Sequence, residues 1–377
     1  MNWMRTWAMA RKEFIHIFRD PRSLGMGIAI PMIMLILFGY ALTLDVDNVP
    51  MVIWDQNRSQ ASREFISHFL GSRYFSLQAF VDNYREVKQA IDSRRALVSL
   101  IIPPDFAGCL ASGRPTPVQL IVDGSDSNTA TIAMGYAEVI TMTFSQDIAL
   151  KEIQRKGGQV VANPIDLQPR VWFNADLESR NYIIPGLIAV IMMVIAALMT
   201  SLTVAREWEQ GTMEQLISTP VKAQELILGK LFPYFMIGLF DVLLAVLMGE
   251  FLFHVPLRGN VALIFAQAAI FLIGTLSLGL LISIVTKSQL LASQLAMVAT
   301  FLPAFLLSGF AYPIRSMPQV LQWITYLIPA KYFVTLLKGI YLKGVGPRVL
   351  MVEGIFLAVF GLIMFVLANK KFKKKLT

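Results

Sequence analysis

The sequence predicts an α-helical polytopic membrane protein: six transmembrane helices, with an extracytoplasmic α/β domain inserted between the first and the second. Three observations carry that reading. The 377-residue chain is 55% hydrophobic and only 15% charged, with a mean hydropathy of +0.59, whereas a soluble domain is about 25% charged. Six apolar runs approach or exceed the ~20 residues needed to cross ~30 Å of hydrocarbon. A long mixed-polarity stretch, 45–181, separates the first run from the rest. The lone Cys109 rules out an internal disulfide and has no ligand pattern beside it, so it reads as a small core residue. A net charge of +8 would suggest nucleic acid in a soluble protein. In this composition it marks cytoplasmic membrane faces, and no nucleic-acid partner is expected.

Residues 1–23 come first, as an amphipathic interfacial helix. Trp3, Trp7, Phe14 and Phe18 share one helical face, and Arg5, Lys12 and Arg19 fall on another. Aromatic and basic residues so divided describe a helix in the lipid headgroup layer. It is either a simple anchor or also a contact for a cytoplasmic partner. The first span follows at 24–44. It is too long and starts too late for a cleaved signal peptide, so it reads as an uncleaved anchor.

The insert 45–181 is long enough for a domain of its own. Val49–Trp54, Phe75–Phe80, Leu97–Ile102 and Val118–Val122 read as strands. Helices are expected over 59–70, 84–94 and 104–112, the last with Pro104 in its first turn. A long helix over about 129–155 should follow, with 157–180 returning to the membrane. Asp123-Gly124-Ser125-Asp126-Ser127-Asn128 lacks the Gly and Glu that a calcium loop wants at positions six and twelve. It reads as a turn and helix N-cap.

The remaining region, 182–377, holds five spans. They are Tyr182–Val204, Leu231–Phe253, Ala262–Val285, Ser288–Ile314 and Val349–Ala368. Residues 205–230 form a cytoplasmic loop, and 315–348, interrupted by Pro318, Pro329, Lys331 and Lys338, forms short re-entrant or surface helices on the outer face. Fourteen Lys/Arg fall in the N-terminal segment, the loops 205–230 and 286–289 and the tail, against six in 254–261 and 315–348. The positive-inside rule therefore puts both termini in the cytoplasm and 45–181 outside. The insert's charge of −3, against +11 for the rest, agrees.

Familiar catalytic chemistry is missing. His16, His68 and His254 are too scattered for a zinc cluster, and there is no GxSxG elbow. Gly229-Lys230 lacks the upstream glycine and following Ser/Thr of a phosphate-cradling loop. No catalytic residue, metal site or bound cofactor is expected, and any ATP must be used on another subunit.

Function concentrates in Arg206-Glu207-Trp208-Glu209-Gln210-Gly211-Thr212-Met213-Glu214-Gln215-Leu216-Ile217-Ser218-Thr219-Pro220. Thr212 and Gln215 have capping-box spacing, so a short helix should start there, with Met213, Leu216 and Ile217 as its apolar stripe and Pro220 as its limit. It is a docking element or a polar connector. Asp241, mid-span, costs about 2.5–3.5 kcal/mol, less than the surrounding apolar residues return. It reads as a hydrogen-bonded structural acid or as a cation contact. Glu250 and Glu353 can reach the interface. Thr275, Gly279 and Ser283 form a small-residue stripe for close packing, within one bundle or between two. Pro303, Ser308, Gly309 and Pro313 should break the fifth span, as where a helix lines a cavity or packs inside protein.

The 206–220 run closely resembles the cytoplasmic loop of ABC-2 type permease subunits, particularly multidrug exporter permeases of Gram-negative bacteria. Lys12-Glu13-Phe14 with Arg19-Asp20-Pro21, the Asp123-Gly124-Ser125 turn, and Phe301-Leu302-Pro303 running to Leu307-Ser308-Gly309-Phe310 agree, as do Met317-Pro318 and Ile328-Pro329-Ala330 with Tyr332. The resemblance covers nearly the whole chain. It implies a multi-pass protein of the bacterial inner membrane that pairs with a second permease half, a second copy or a paralogue. It also implies separate ATP-binding cassette subunits that carry ATP and Mg. Arg206, Glu207, Glu209, Gly211, Thr212, Met213, Glu214 and Leu216 would couple to that ATPase, the N-terminal helix would clasp it, and Asp241, Pro303, Ser308 and Gly309 would belong to the pathway or outer gate. Membrane lipid and a periplasmic adaptor are further partners to consider. The expected function is export of a hydrophobic or amphipathic drug or lipid-like substrate.

Two rivals stand beside it. One is a cation- or proton-coupled antiporter built on Asp241, weakened by the single central acid and the lack of a visible repeat. The other is a membrane-anchored receptor or assembly factor that works through 45–181.

Overall fold

The computed structural model describes residues 2–42, 47–155, 172–174 and 178–372. They divide into two compact units, 1–43 with 170–377, and 44–169. Helix α1 (Trp3–Arg19) begins where the Asn2 side chain accepts from the Met4 amide at 3.1 Å. It stops at Asp20, whose backbone is extended because Pro21 follows. Pro21 opens α2 (Pro21–Leu24), which runs through a π turn at Gly25–Ala29 into α3 (Ile30–Ala41).

Within 44–169 a four-stranded sheet has the order β2-β1-β3-β4. Strand β1 (Val49–Asp55) leads through α4 (Gln60–Leu70) to β2 (Phe75–Phe80), and α5 (Tyr84–Asp92) leads on to β3 (Val98–Ile102). Both β2 and β3 pair parallel to β1. After α6 (Phe106–Ala111), β4 (Gln119–Val122) runs antiparallel to β3. Alternation along β1 explains the layers: Val49, Met51 and Ile53 pack with Phe65, Phe69, Phe106 and Phe144, while Val52 packs with Val87 and Ala90 of α5 on the other face. Pro104 lies in the turn before α6 rather than in its first turn, since Asp105 is the N-cap. Helix α7 (Ser127–Arg155) starts at Asp126, whose carboxylate accepts from the Asn128 amide at 3.1 Å and the Thr129 hydroxyl at 2.6 Å. Residues 157–171 and 175–177, expected to return toward the membrane, lie outside the described residues, as do 373–377 with three tail lysines.

The second half is helical. It comprises α8 (Ser179–Glu209), α9 (Thr212–Ser218), α10 (Ala223–Leu247, with a π turn to Leu252), α11 (Val261–Thr286), α12 (Gln289–Leu307), α13 (Gln319–Thr325), α14 (Pro329–Lys338, with a π turn to Lys343) and α15 (Met351–Lys371). Helices α8, α10, α11, α12 and α15 are long and apolar enough to cross a membrane, and the apolar run Gly25–Ala41 is shorter. Helix α8 is almost wholly buried and packs against α3, α10, α11, α12 and α14. The segment 315–348 contains two helices meeting at 82°, with Phe333, Leu336 and Leu337 of α14 deep in the core.

The small-residue stripe packs inside this chain. An added Cβ on Gly279 would overlap the Ala197 carbonyl of α8, and Ser283 Oγ accepts from the Val204 and Ala205 amides at 3.0 and 2.9 Å. Two boundaries differ from expectation. The 205–230 loop is shorter, because α8 runs to Glu209 and α10 begins at Ala223. Helix α12 passes through Pro303 and ends at Leu307, where Gly309 adopts φ +78°. The ring removes one backbone bond without stopping the helix; the left-handed glycine does stop it.

Candidate functional site

The α8–α9 corner is built by Gly211. Its φ of +69° lets the chain pass directly from one helix into the next. This closeness also removes the expected capping box. Gly211 is the N-cap and offers no side chain, and the Thr212 hydroxyl turns back to donate to the Glu207 carbonyl at 3.4 Å. Met213 is buried and Leu216 half-buried, while Glu214 and Gln215 face outward; the Ile217 side chain lies outside the described residues.

The last turn of α8 is fastened on three sides. Arg206 pairs with Asp20 at 3.5 Å and donates to the Gln289 side chain at 3.3 Å. Glu209 accepts from the Gln289 amide at 2.7 Å and from its Nε2 at 2.5 Å, satisfying a free N–H at the start of α12. Trp208 lies under the Lys287 ammonium at 4.5 Å. Glu207 Oε1 receives Lys12 at 2.9 Å and Lys230 at 3.1 Å, and Lys230 also donates to Glu13 at 2.5 Å. Arg206, Glu207 and Glu209 thus join α8 to the start of α12, to α10 and to the α1–α2 segment. Gly211, Glu214 and Gln215 form the outward surface.

Lys230 is 1% exposed and Glu13 7%. Burial pushes the Glu13 carboxyl up, but the Lys230 charge and hydrogen bond, with help from Lys12 and His16, bring it below the usual 4.5. A cavity of about 180 Å³ adjoins this triad, lined by Lys12, His16, Thr203 and Thr212 among others. Glu207 Oε2 is buried with no hydrogen-bond partner among the described residues.

Sequence reasoning missed Glu13 and Lys230 as a pair. The available signal was the spacing of Thr6, Met9, Glu13 and Ile17, a second face of α1, and it is this face that is buried, against α10. Gly229 makes the approach possible, because a Cβ there would strike Met9. The aromatic stripe is the open face: Trp3, Trp7 and Phe18 are exposed, Phe14 is half-buried, and Trp7 and Phe14 meet Phe232 edge-on at 6.2 and 6.1 Å.

The other candidates separate. Asp241 is buried in α10, and its Oδ1 has no hydrogen-bond partner among the described residues. Pro303 sits inside α12. Gly309 meets two residues that the sequence reading did not single out for the gate: its carbonyl accepts from the Tyr182 hydroxyl at 3.0 Å and from Lys338 at 3.3 Å, and Lys338 lies 3.2 Å from the Tyr182 ring centre, while the neighbouring Ser308 hydroxyl accepts from the Phe310 amide at 3.3 Å. Among the described residues, no hydrogen bond or ion pair joins Asp241 to this group.

These features define a multi-pass helical membrane protein whose buried central helix ends in a short outward-facing helix. The chain matches the family described as ABC-2 family transporter protein over residues 21–370, and it belongs to that family. It is 40% identical over 377 residues to a protein of Escherichia coli K12 named "Probable multidrug ABC transporter permease YbhS", covering 100% of this chain and 98% of that one. It is 32% identical over 342 residues to the correspondingly named YbhR of the same organism, with 90% of each covered. ABC transporter G family member 20 of Dictyostelium discoideum is 23% identical over 96% of this chain and 49% of its own length. The chain is a permease subunit of an ABC exporter, which associates with an ATP-binding cassette subunit where hydrolysis takes place.

Proposed function

We propose that this permease moves a hydrophobic or amphipathic substrate, a drug or lipid-like molecule, out of the cytoplasm across the bacterial inner membrane by alternating access. ATP and Mg are bound by the separate ATPase, and none by this chain. The relatives named as multidrug permeases support the substrate class. Both termini and α9 face the cytoplasm, and 45–181 lies outside, where it could meet a periplasmic adaptor. A second permease half, identical or paralogous, completes the pathway, to which Asp241, Ser308 and Gly309 contribute.

One observation carries the coupling step. Helix α9 presents Glu214 and Gln215 outward, while the helix end behind it is bonded to three other elements through Arg206, Glu207 and Glu209. A push on α9 therefore reaches α1, α10 and α12 together. Glu214→Arg reverses a charge on the exposed surface without touching the fastened core. It should leave membrane insertion normal and ATP hydrolysis measurable, while export in vesicles falls at least tenfold. Export at the wild-type rate would remove the coupling assignment.

A further inference from the structure

We propose that the groove beside the N-terminal helix is a binding site for an acyl chain of an anionic phospholipid, with the phosphate held near Arg11. One face of α1 is committed to the protein. The Asn2 amide donates to Glu225 at 2.6 Å, Arg5 donates to the Pro220 carbonyl at 2.6 Å, Glu13 pairs with Lys230, and Gly229 admits Met9. The adjoining face is not: Trp3 and Trp7 are 73% and 55% exposed. Together with Leu228 and Phe235 of α10, Ile273 of α11 and Phe365 of α15, they bound a groove of about 440 Å³.

The chemistry of this groove selects its occupant. None of its lining residues is charged, and the one hydroxyl there, Thr6, already donates to the Asn2 carbonyl at 3.4 Å. An extended peptide segment laid in it would bury backbone N–H and C=O groups with no partner, at substantial cost. A drug-like ligand would want a few convergent polar groups to orient it, and beside Thr6 the lining offers only the indole N–H groups of Trp3 and Trp7. An alkyl chain requires neither. The groove is continuous with an apolar surface on α10 and α11 that includes exposed Phe232, Met236 and Ile273, as expected of a surface that faces hydrocarbon.

The headgroup is selected by charge. Arg11 follows Trp7 by one helical turn, is exposed, and has no ion pair or hydrogen bond among the described residues. A guanidinium beside tryptophans at the headgroup level suits a phosphate whose chain runs inward past them. Because α1 is bonded to α10 and the end of α8, an occupied groove would also brace the helix that holds the α8–α9 corner. This inference rests on the membrane assignment and not on ATP coupling. Glu214→Arg should leave lipid retention unchanged.

The test uses the full chain in mild detergent, titrated with dioleoyl phosphatidylglycerol or dioleoyl phosphatidylcholine and read by native mass spectrometry. The wild type should hold a single phosphatidylglycerol more tightly than phosphatidylcholine. Ile273→Trp, which fills the groove, should weaken retention of both at least tenfold. Arg11→Gln should weaken phosphatidylglycerol about fivefold, the loss expected for one basic residue near an anionic lipid, and leave phosphatidylcholine unchanged. Ile363→Trp, on the exposed side of α15, should behave as wild type. Equal retention by wild type and Ile273→Trp, or equal affinity for the two lipids, would overturn the proposal, as would displacement of the bound lipid by a transported dye. Should Ile273→Trp misfold, a phosphatidylglycerol bearing a diazirine in its acyl chain decides the matter on the wild type. Crosslinks should map to Trp3–Ala10, Leu228–Phe235 and Phe365, and crosslinks confined to other segments would refute the site.

Discussion

Lys230 is a single buried ammonium shared by two carboxylates, Glu13 and Glu207, with Lys12 supplying a second cation at the more exposed edge. Removing the shared cation leaves two acids without their buried partner, which is far costlier than never having built the network. Lys230→Met should therefore destabilise the protein by about 3–5 kcal/mol, seen as a lower thermal-unfolding midpoint in detergent. Lys230→Met combined with Glu13→Gln should recover part of the loss, and a double variant no better than the single one would show that the acids do not share Lys230. The same pair sets an acid limit. The Glu13 carboxyl titrates lower in the folded protein than its ordinary 4.5, so its stabilising contribution is complete above that value and disappears as pH falls through the depressed one. Glu13→Gln should accordingly flatten the decline in unfolding midpoint as pH falls below the ordinary 4.5, and an unchanged acid limb would contradict the pairing.

Between helices, the close approach of α8 and α11 depends on one missing side chain. Gly279→Ala forces a Cβ into the Ala197 carbonyl, and neither backbone can yield cheaply. A loss of about 1–3 kcal/mol is expected, whereas Gly346→Ala, at a position with open space around it, should be neutral by the same thermal assay. Equal behaviour of the two variants would mean that α11 does not pack on α8 in this way. The stripe of Thr275, Gly279 and Ser283 was legible in the sequence, because three small residues at helical spacing declare a close contact. Its partner was not, since the choice of α8 depends on every other helix packed around it. The start of α9 shows the same division. Thr212 announced a helix N-terminus correctly, but the capping chemistry was displaced by Gly211, whose left-handed backbone joins the two helices. Lys230 stayed hidden for a related reason: at the end of the 205–230 loop it counted as one more cytoplasmic charge, and a buried cation is understood only when α10 starts at Ala223 and its acids arrive from α1 and α8.

Across the whole molecule, the apolar runs mark where spans are expected, and the basic residues argue which way they face. Fourteen Lys/Arg on one set of segments against six on the other, with an acidic insert, predict that 45–181 and α9 are on opposite sides of the membrane. The positive-inside bias is a property of short loops, so the insert's own charge only agrees with the orientation. The structure offers clean sites for the test. Cys109 is the chain's one cysteine, and Cys109→Ser gives a background without thiols. Asp82→Cys lies on the exposed surface of the sheet unit, and Ser218→Cys on the exposed end of α9. In spheroplasts, a membrane-impermeant maleimide should label Asp82→Cys and spare Ser218→Cys. In inverted vesicles the preference should reverse. The opposite pattern would put the sheet unit in the cytoplasm, would remove α9 from reach of an ATPase there, and would leave the net positive charge of the termini facing outward against the bias that the sequence displays.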